Sequence, residues 1–184
     1  MTTGIFTSQT PASADNYDGS AIGLGNNIEI VLGPQLVYRL RWYASTTHIG
    51  TVTGRIYDQA AGTLFAGPVA FPSITPGAWN VSDYFVSPVS LADSKVWTIA
   101  VHNTGGGYAF TASAFNSAPI TNGNLKAIQS GVPAFNNVFD YGAVTVPNDN
   151  GSGANFFVDV DIDPNPGGGA DARQAAFMPF FMAG

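Results

Sequence analysis

The chain has 184 residues and a formal net charge of −6, with six Lys or Arg against twelve Asp or Glu. That balance argues against nucleic-acid binding, which needs a basic footprint. The absence of cysteine removes disulfides, zinc thiolates and a cysteine nucleophile, and no apolar run approaches the ~20 residues of a membrane-spanning helix.

Hydrophobic residues make up 45% and charged residues 10% of the chain, beside 22 Gly and 12 Pro. Low charge with many turn-formers suits an all-β protein. The opening Met-Thr-Thr-Gly has neither a charged nor an apolar leader region, so no secretory signal is expected. Ile5 and Phe6 start a short segment that stops at Pro11. Asp15 and Asp18 follow in a turn beside Gly19. They suit either a hard cation such as Ca²⁺ held by oxygen ligands or an Asx-turn in which carboxylates bond local amides. Ile22, Leu24, Ile28, Ile30 and Leu32 predict a strand, bulged at Gly25 and ended by Gly33-Pro34.

The stretch Leu36 to Asp58 carries the strongest pattern. Leu36, Tyr38, Leu40 and Trp42 alternate with Val37, Arg39, Arg41 and Tyr43; Val52, Gly54 and Ile56 alternate with Thr53, Arg55 and Tyr57. Period-two alternation rich in aromatic and β-branched residues predicts two half-buried strands. The polar connection Ala44 to Gly50 predicts that they form a hairpin with the arginines on wet faces. Further strands are expected at Gly62 to Ala66, from Gly77 to Val86, around Val89 to Leu91, and from Lys95 to Asn103, where Trp97, Ile99 and Val101 share a face. Thr111 to Asn150 has irregular apolar spacing and predicts long loops with short strands. Asn155 to Ile162 predicts a last strand with Phe157, Asp159 and Asp161 on one face. No sustained helical stripe occurs, and many short strands imply a jelly-roll-like antiparallel β-sandwich over residues 4–163. A Pro/Gly-rich linker, 164–174, then leads to an apolar docking tail, 175–184, with Phe177, Met178, Phe180, Phe181 and Met182 and no charge.

The chemistry expected is modest. His48 and His102 are isolated, and no zinc-protease, nucleophile-elbow or phosphate-loop motif occurs. Asp159 and Asp161 point to one face about 7 Å apart, a spacing open to a solvated face, to a cation site shared with a carboxylate such as Glu29, or to a catalytic pair. Trp42, Trp79 and Trp97 lie inside strand patterns, with at least two expected in the core. Tyr43, Tyr57 and Tyr108 fall on wet faces or loop ends and are the expected glycan contacts.

The order of short motifs resembles a bacterial cell-surface family known as domain of unknown function four-zero-eight-two. The matching residues are Phe6; Asp18-Gly19-Ser20-Ala21 with Leu24-Gly25; Arg41-Trp42-Tyr43; Thr47-His48-Ile49-Gly50; and Ile56-Tyr57-Asp58. Gly62-Thr63-Leu64, Gly77-Ala78-Trp79, Pro88-Val89 and Asn155 to Val160 continue the order. Gly23 stands where the family usually has Glu. The resemblance implies a sandwich with an extracellular binding role, in chains that also carry cadherin-like and carbohydrate-active modules. It implies no reaction. A surface-type sandwich beginning at Met1 without a leader suggests a bacteriophage virion protein: a tail, fibre or capsid-decoration component that docks other virion chains or its own copies. The alternative is a carbohydrate-binding module at a bacterial cell surface. Neither expectation includes an enzyme or membrane insertion.

Overall fold

Ile22, Leu24, Ile28 and Ile30 recur at even spacing and all four are buried in a nine-residue strand. That strand is the spine of the computed structural model, which describes residues 4–142 and 144–162. In chain order the strands are β1 (Ser13–Tyr17), β2 (Ile22–Ile30), β3 (Gln35–Val37), β4 (Arg39–Tyr43) and β5 (Val52–Asp58). Then come β6 (Thr63–Ala70), β7 (Trp79–Val81), β8 (Val89–Leu91), β9 (Val96–Asn103) and β10 (Gly107–Phe110). The last are β11 (Ile120–Asn122), β12 (Leu125–Ala127), β13 (Asn137–Tyr141), β14 (Asp149–Asn150) and β15 (Val158–Asp161). The expected linker and tail, with Phe177, Met178, Phe180, Phe181 and Met182, lie outside the described residues.

The large antiparallel sheet runs β11-β12-β2-β9-β5-β6. β9 occupies one edge of β2 over residues 22–29. On the other edge β12 pairs with 28–30 and β13 with 22–26, so two short strands lie end to end along one long one. Both registers run through Gly25 without a break, so the expected bulge is absent. Leu32 lies beyond the strand and is exposed. A three-stranded sheet, β15-β4-β7, faces the large one. Ile28, Ile56, Trp97 and Ile99 from the large sheet and Leu40, Trp42, Val158 and Val160 from the small one belong to a single core. The two layers approach closely where a Cβ on Gly54 would stand 2.6 Å from Leu40 Cδ1. This is an all-β sandwich of antiparallel sheets, as the alternation predicts.

The hairpin expected between β4 and β5 does not form. β4 is already flanked by β15 and β7, and β5 by β9 and β6. The intervening loop is a corner between sheets. Its Thr46 amide donates to Ala14 O at 2.9 Å and the Thr51 amide to Thr104 Oγ1 at 2.9 Å. The alternation also changes phase between β3 and β4, where pairing switches from β8 to β15 and β7. Val37 is therefore buried and Leu36 exposed, the reverse of the expected faces.

The arginines are not on a wet face. Arg41 lies opposite Asp159 and Arg39 opposite Asp161 in the β4–β15 ladder, and cross-strand partners share a face. Arg39 Nε stands 2.8 Å from Asp161 Oδ2, and Arg41 Nη1 3.7 Å from Asp159 Oδ2. Residues 4–6 cover this outer face. The amides of Ile5, Phe6 and Val160 donate to the Asp159 carboxylate at 3.0, 3.1 and 2.8 Å. Arg41 also stacks over Trp79, 4.4 Å from its ring centroid. Phe6 packs against Phe115 and Phe157. Burial pushes the Asp159 carboxyl above its ordinary value, with Arg41 and the three amides acting against that shift.

Candidate functional site

Two strands that belong to different pairings, β10 and β13, each present aromatic residues at i and i+2. A strand puts such residues on one face. Tyr108 and Phe110 have ring centroids 5.9 Å apart, and Phe139 and Tyr141 5.5 Å apart with planes at 73°. Between these walls lies a groove of about 310 Å³. Ile22, Ala154 and Phe156 contribute to its lining, Phe156 meeting Tyr108 edge-on at 5.9 Å and 85°. Phe156 reaches the groove because Phe157, at φ 53°, breaks the extended run expected from Asn155 onward. The left-handed turn is held by Asn155 Oδ1, which accepts the Phe157 amide at 2.7 Å. Phe157 thus packs behind, against Tyr43 and Trp79.

Asp18 sits at the mouth of this groove. It follows β1, which pairs with β10, and its amide donates to Gly106 O at 3.2 Å. Its Oδ2 accepts the Tyr141 hydroxyl at 3.1 Å. Burial first, and the Asp18 carboxylate second, push the Tyr108 hydroxyl up to about 12 and raise that of Tyr141. Both phenols are therefore neutral donors over the ordinary pH range. Among the described residues the groove lining contains one carboxylate, no histidine and no cation. It presents aromatic faces with hydroxyl and carboxylate groups at the rim, a combination that can stack a sugar ring and bond its polar substituents.

Of the three tyrosines expected to contact glycan, only Tyr108 lines this groove. Tyr57 is buried, because its side of β5 is covered rather than wet. It lies in a small cleft with Arg55 and His102, away from the groove. Tyr43 is half-buried, edge-on to Trp79 at 5.8 Å, with its hydroxyl donating to Gly77 O at 2.5 Å. The carboxylates expected to share a cation are divided. Asp15 and Asp18 are exposed, Asp15 accepting the Thr47 hydroxyl, whereas Asp159 and Asp161 are buried against Arg41 and Arg39. Glu29 pairs with Lys126 at 2.5 Å. Among the described residues no three His, Asp or Glu side chains form a group able to hold a metal.

The histidines sit apart. His48 lies edge-on to Trp42 at 5.4 Å, and His102 stands near Arg55. Burial holds both below their ordinary value, with the Arg55 charge adding to the effect at His102. Phe110, Phe139, Tyr141 and Phe156 were not legible as site residues. The one signal for Phe110, Phe139 and Tyr141 is the repeated aromatic–x–aromatic spacing in Tyr108-Ala109-Phe110 and Phe139-Asp140-Tyr141, which does not include Phe156.

Fold and groove together define a β-sandwich with an aromatic, carboxylate-rimmed depression. The chain belongs to the family described as domain of unknown function (DUF4082), whose model matches residues 8–158. Comparison with curated proteins and with solved structures found no match.

Proposed function

We propose that this domain is a non-enzymatic adhesion module that binds a cell-surface glycan in the groove between β10 and β13. The observation that supports it is the pairing of four wall aromatics, Tyr108, Phe110, Phe139 and Tyr141, with the Asp18 carboxylate at their mouth. A pyranose offers an apolar face to such rings and hydroxyls to such a rim. That the described residues of the lining include one carboxylate supports a binding rather than a hydrolytic role, since glycosidases flank the scissile bond with two. The test is calorimetric titration of the full chain with neutral, amine-bearing and acidic oligosaccharides. Binding that Phe139→Ala weakens is expected; no response to any of them removes the reading.

The setting we propose is a phage particle, with a bacterial cell surface as the alternative. Residues 175–184 carry three Phe and two Met without a charge, a composition suited to docking on a neighbouring virion chain or a second copy. Recovery of the chain from purified virions tests this, and its consistent absence from them favours the cell-surface setting.

A further inference from the structure

Every basic residue of the described chain is engaged away from the groove. Arg39, Arg41, Lys95 and Lys126 face Asp161, Asp159, Asp58 and Glu29. Arg55 donates to Thr53 Oγ1 at 2.8 Å and borders the cleft by His102. Asp18 is left with phenol hydroxyls as partners, and Asp149 adds a second negative charge beside Tyr141. The faces of the wall aromatics, unlike their edges, contribute with the same sign. Ring faces are electron-rich and attract a cation within ~6 Å of their centroids. Phe139 stands to Tyr141 at 73° and Tyr108 to Phe156 at 85°, so neighbouring rings of the lining are differently oriented.

Resting on the glycan reading above, we propose that the groove selects sugars bearing a free, protonated amine, of the de-N-acetylated hexosamine class. The ring stacks between the walls from β10 and β13, and the ammonium group meets the Asp18 carboxylate. An acetylated amine has no charge to offer Asp18. A uronic acid brings a carboxylate against Asp18 and Asp149 and is excluded by like-charge repulsion.

The experiment is calorimetry of the full chain near pH 6. The ligands are a glucosamine hexasaccharide with free amines, its fully N-acetylated counterpart and a uronic acid hexasaccharide. The free-amine sugar is expected to bind about tenfold or more tighter than the acetylated one, with the uronic sugar weakest. Asp18→Asn should bring the first two to similar affinity, whereas Phe139→Ala should weaken both. Asp83→Asn removes the same charge from an exposed position at the end of β7 and should leave the preference intact. Equal or tighter binding of the acetylated or uronic sugar overturns the inference while the glycan reading stands. An equal effect of Asp83→Asn and Asp18→Asn also overturns it, by showing the attraction to be diffuse. Failure of all three sugars, with the neutral oligosaccharides failing too, removes the glycan reading itself and this inference with it.

Discussion

Replacing Asp159 by Asn tests how the N-terminal segment is held. The carboxylate accepts three backbone amides, from Ile5, Phe6 and Val160, and faces Arg41. A carboxylate has only acceptor sites, so it can satisfy all of these donors together. Asparagine turns one oxygen into an NH₂ donor that points at other donors, and it leaves the buried Arg41 without a counter-charge. Breaking one side of a buried ion pair costs about 3–5 kcal/mol. Relaxation is limited, since a Cβ on Gly4 would already stand 2.2 Å from Asp159 Oδ2. Urea unfolding should give this loss as a lower midpoint at similar slope. Arg41→Met in the Asp159→Asn background should recover part of it, because the unpaired buried charge is then removed. Protease sensitivity ahead of Phe6 should rise in Asp159→Asn alone. An Asp159→Asn protein that unfolds with the parent would refute the reasoning.

Trp42 is fully buried and contacts His48 and Phe71 edge-on, so Trp42→Ala should cost about 3–5 kcal/mol in the same assay. Tyr108 keeps its proton up to about 12 in the folded chain, against an ordinary value of 10.0. The unfolded chain therefore ionises first, and the stabilising contribution, complete below 10.0, is lost as pH rises toward about 12. The stability difference between parent and Tyr108→Phe should be constant below that window, and the parent should lose stability relative to the variant as pH rises through it. Deleting residues 171–184 should leave the melting transition intact while abolishing self-association or incorporation into particles, read by light scattering and by particle composition.

The sandwich was legible because its core strands alternate cleanly. Trp97, Ile99 and Val101 of β9 sit where the pattern puts them. What alternation could not give was partnership. The same spacing that made β4 and β5 look like a hairpin fits strands of two different sheets, and the short connection spans a corner as well as a turn. Alternation also assigns only two faces, one dry and one wet. In β4 and β15 both are covered, one by the opposing sheet and one by residues 4–6, so Arg41 and Asp159 vanish from solvent. A trace of this was present in the sequence: Arg39-x-Arg41 and Asp159-x-Asp161 have complementary charge at equal spacing, as cross-strand partners do. The groove was least legible, since its walls come from Gly107–Phe110 and Asn137–Tyr141, segments distant in the chain that pair with different strands.

The floor of that groove is fixed by contacts that a single methyl group should disturb. Gly151 lines the groove, and a Cβ there would stand 1.9 Å from Asn137 Nδ2 and 3.2 Å from Phe156 Cζ. Asn137 cannot retreat easily. It is fully buried, opposite Asn26 in the β2–β13 ladder, and its Oδ1 accepts the Gly153 amide at 2.7 Å. Gly151→Ala must therefore displace the Asn137 amide, break its bond to Gly153 and shift the segment that carries Ala154 and Phe156. The lost buried hydrogen bond and the overpacking amount to roughly 1–3 kcal/mol. Gly62→Ala serves as the comparison, since its Cβ meets nothing within 4 Å and only its φ of 62° resists. That variant should lose stability by about 1–2 kcal/mol and keep full ligand affinity. Gly151→Ala should lose both stability and affinity, because Phe156 no longer meets Tyr108 across the floor. Retention of parental affinity by a folded Gly151→Ala protein would show that the ligand does not depend on this floor, and would place the binding surface elsewhere on the sandwich.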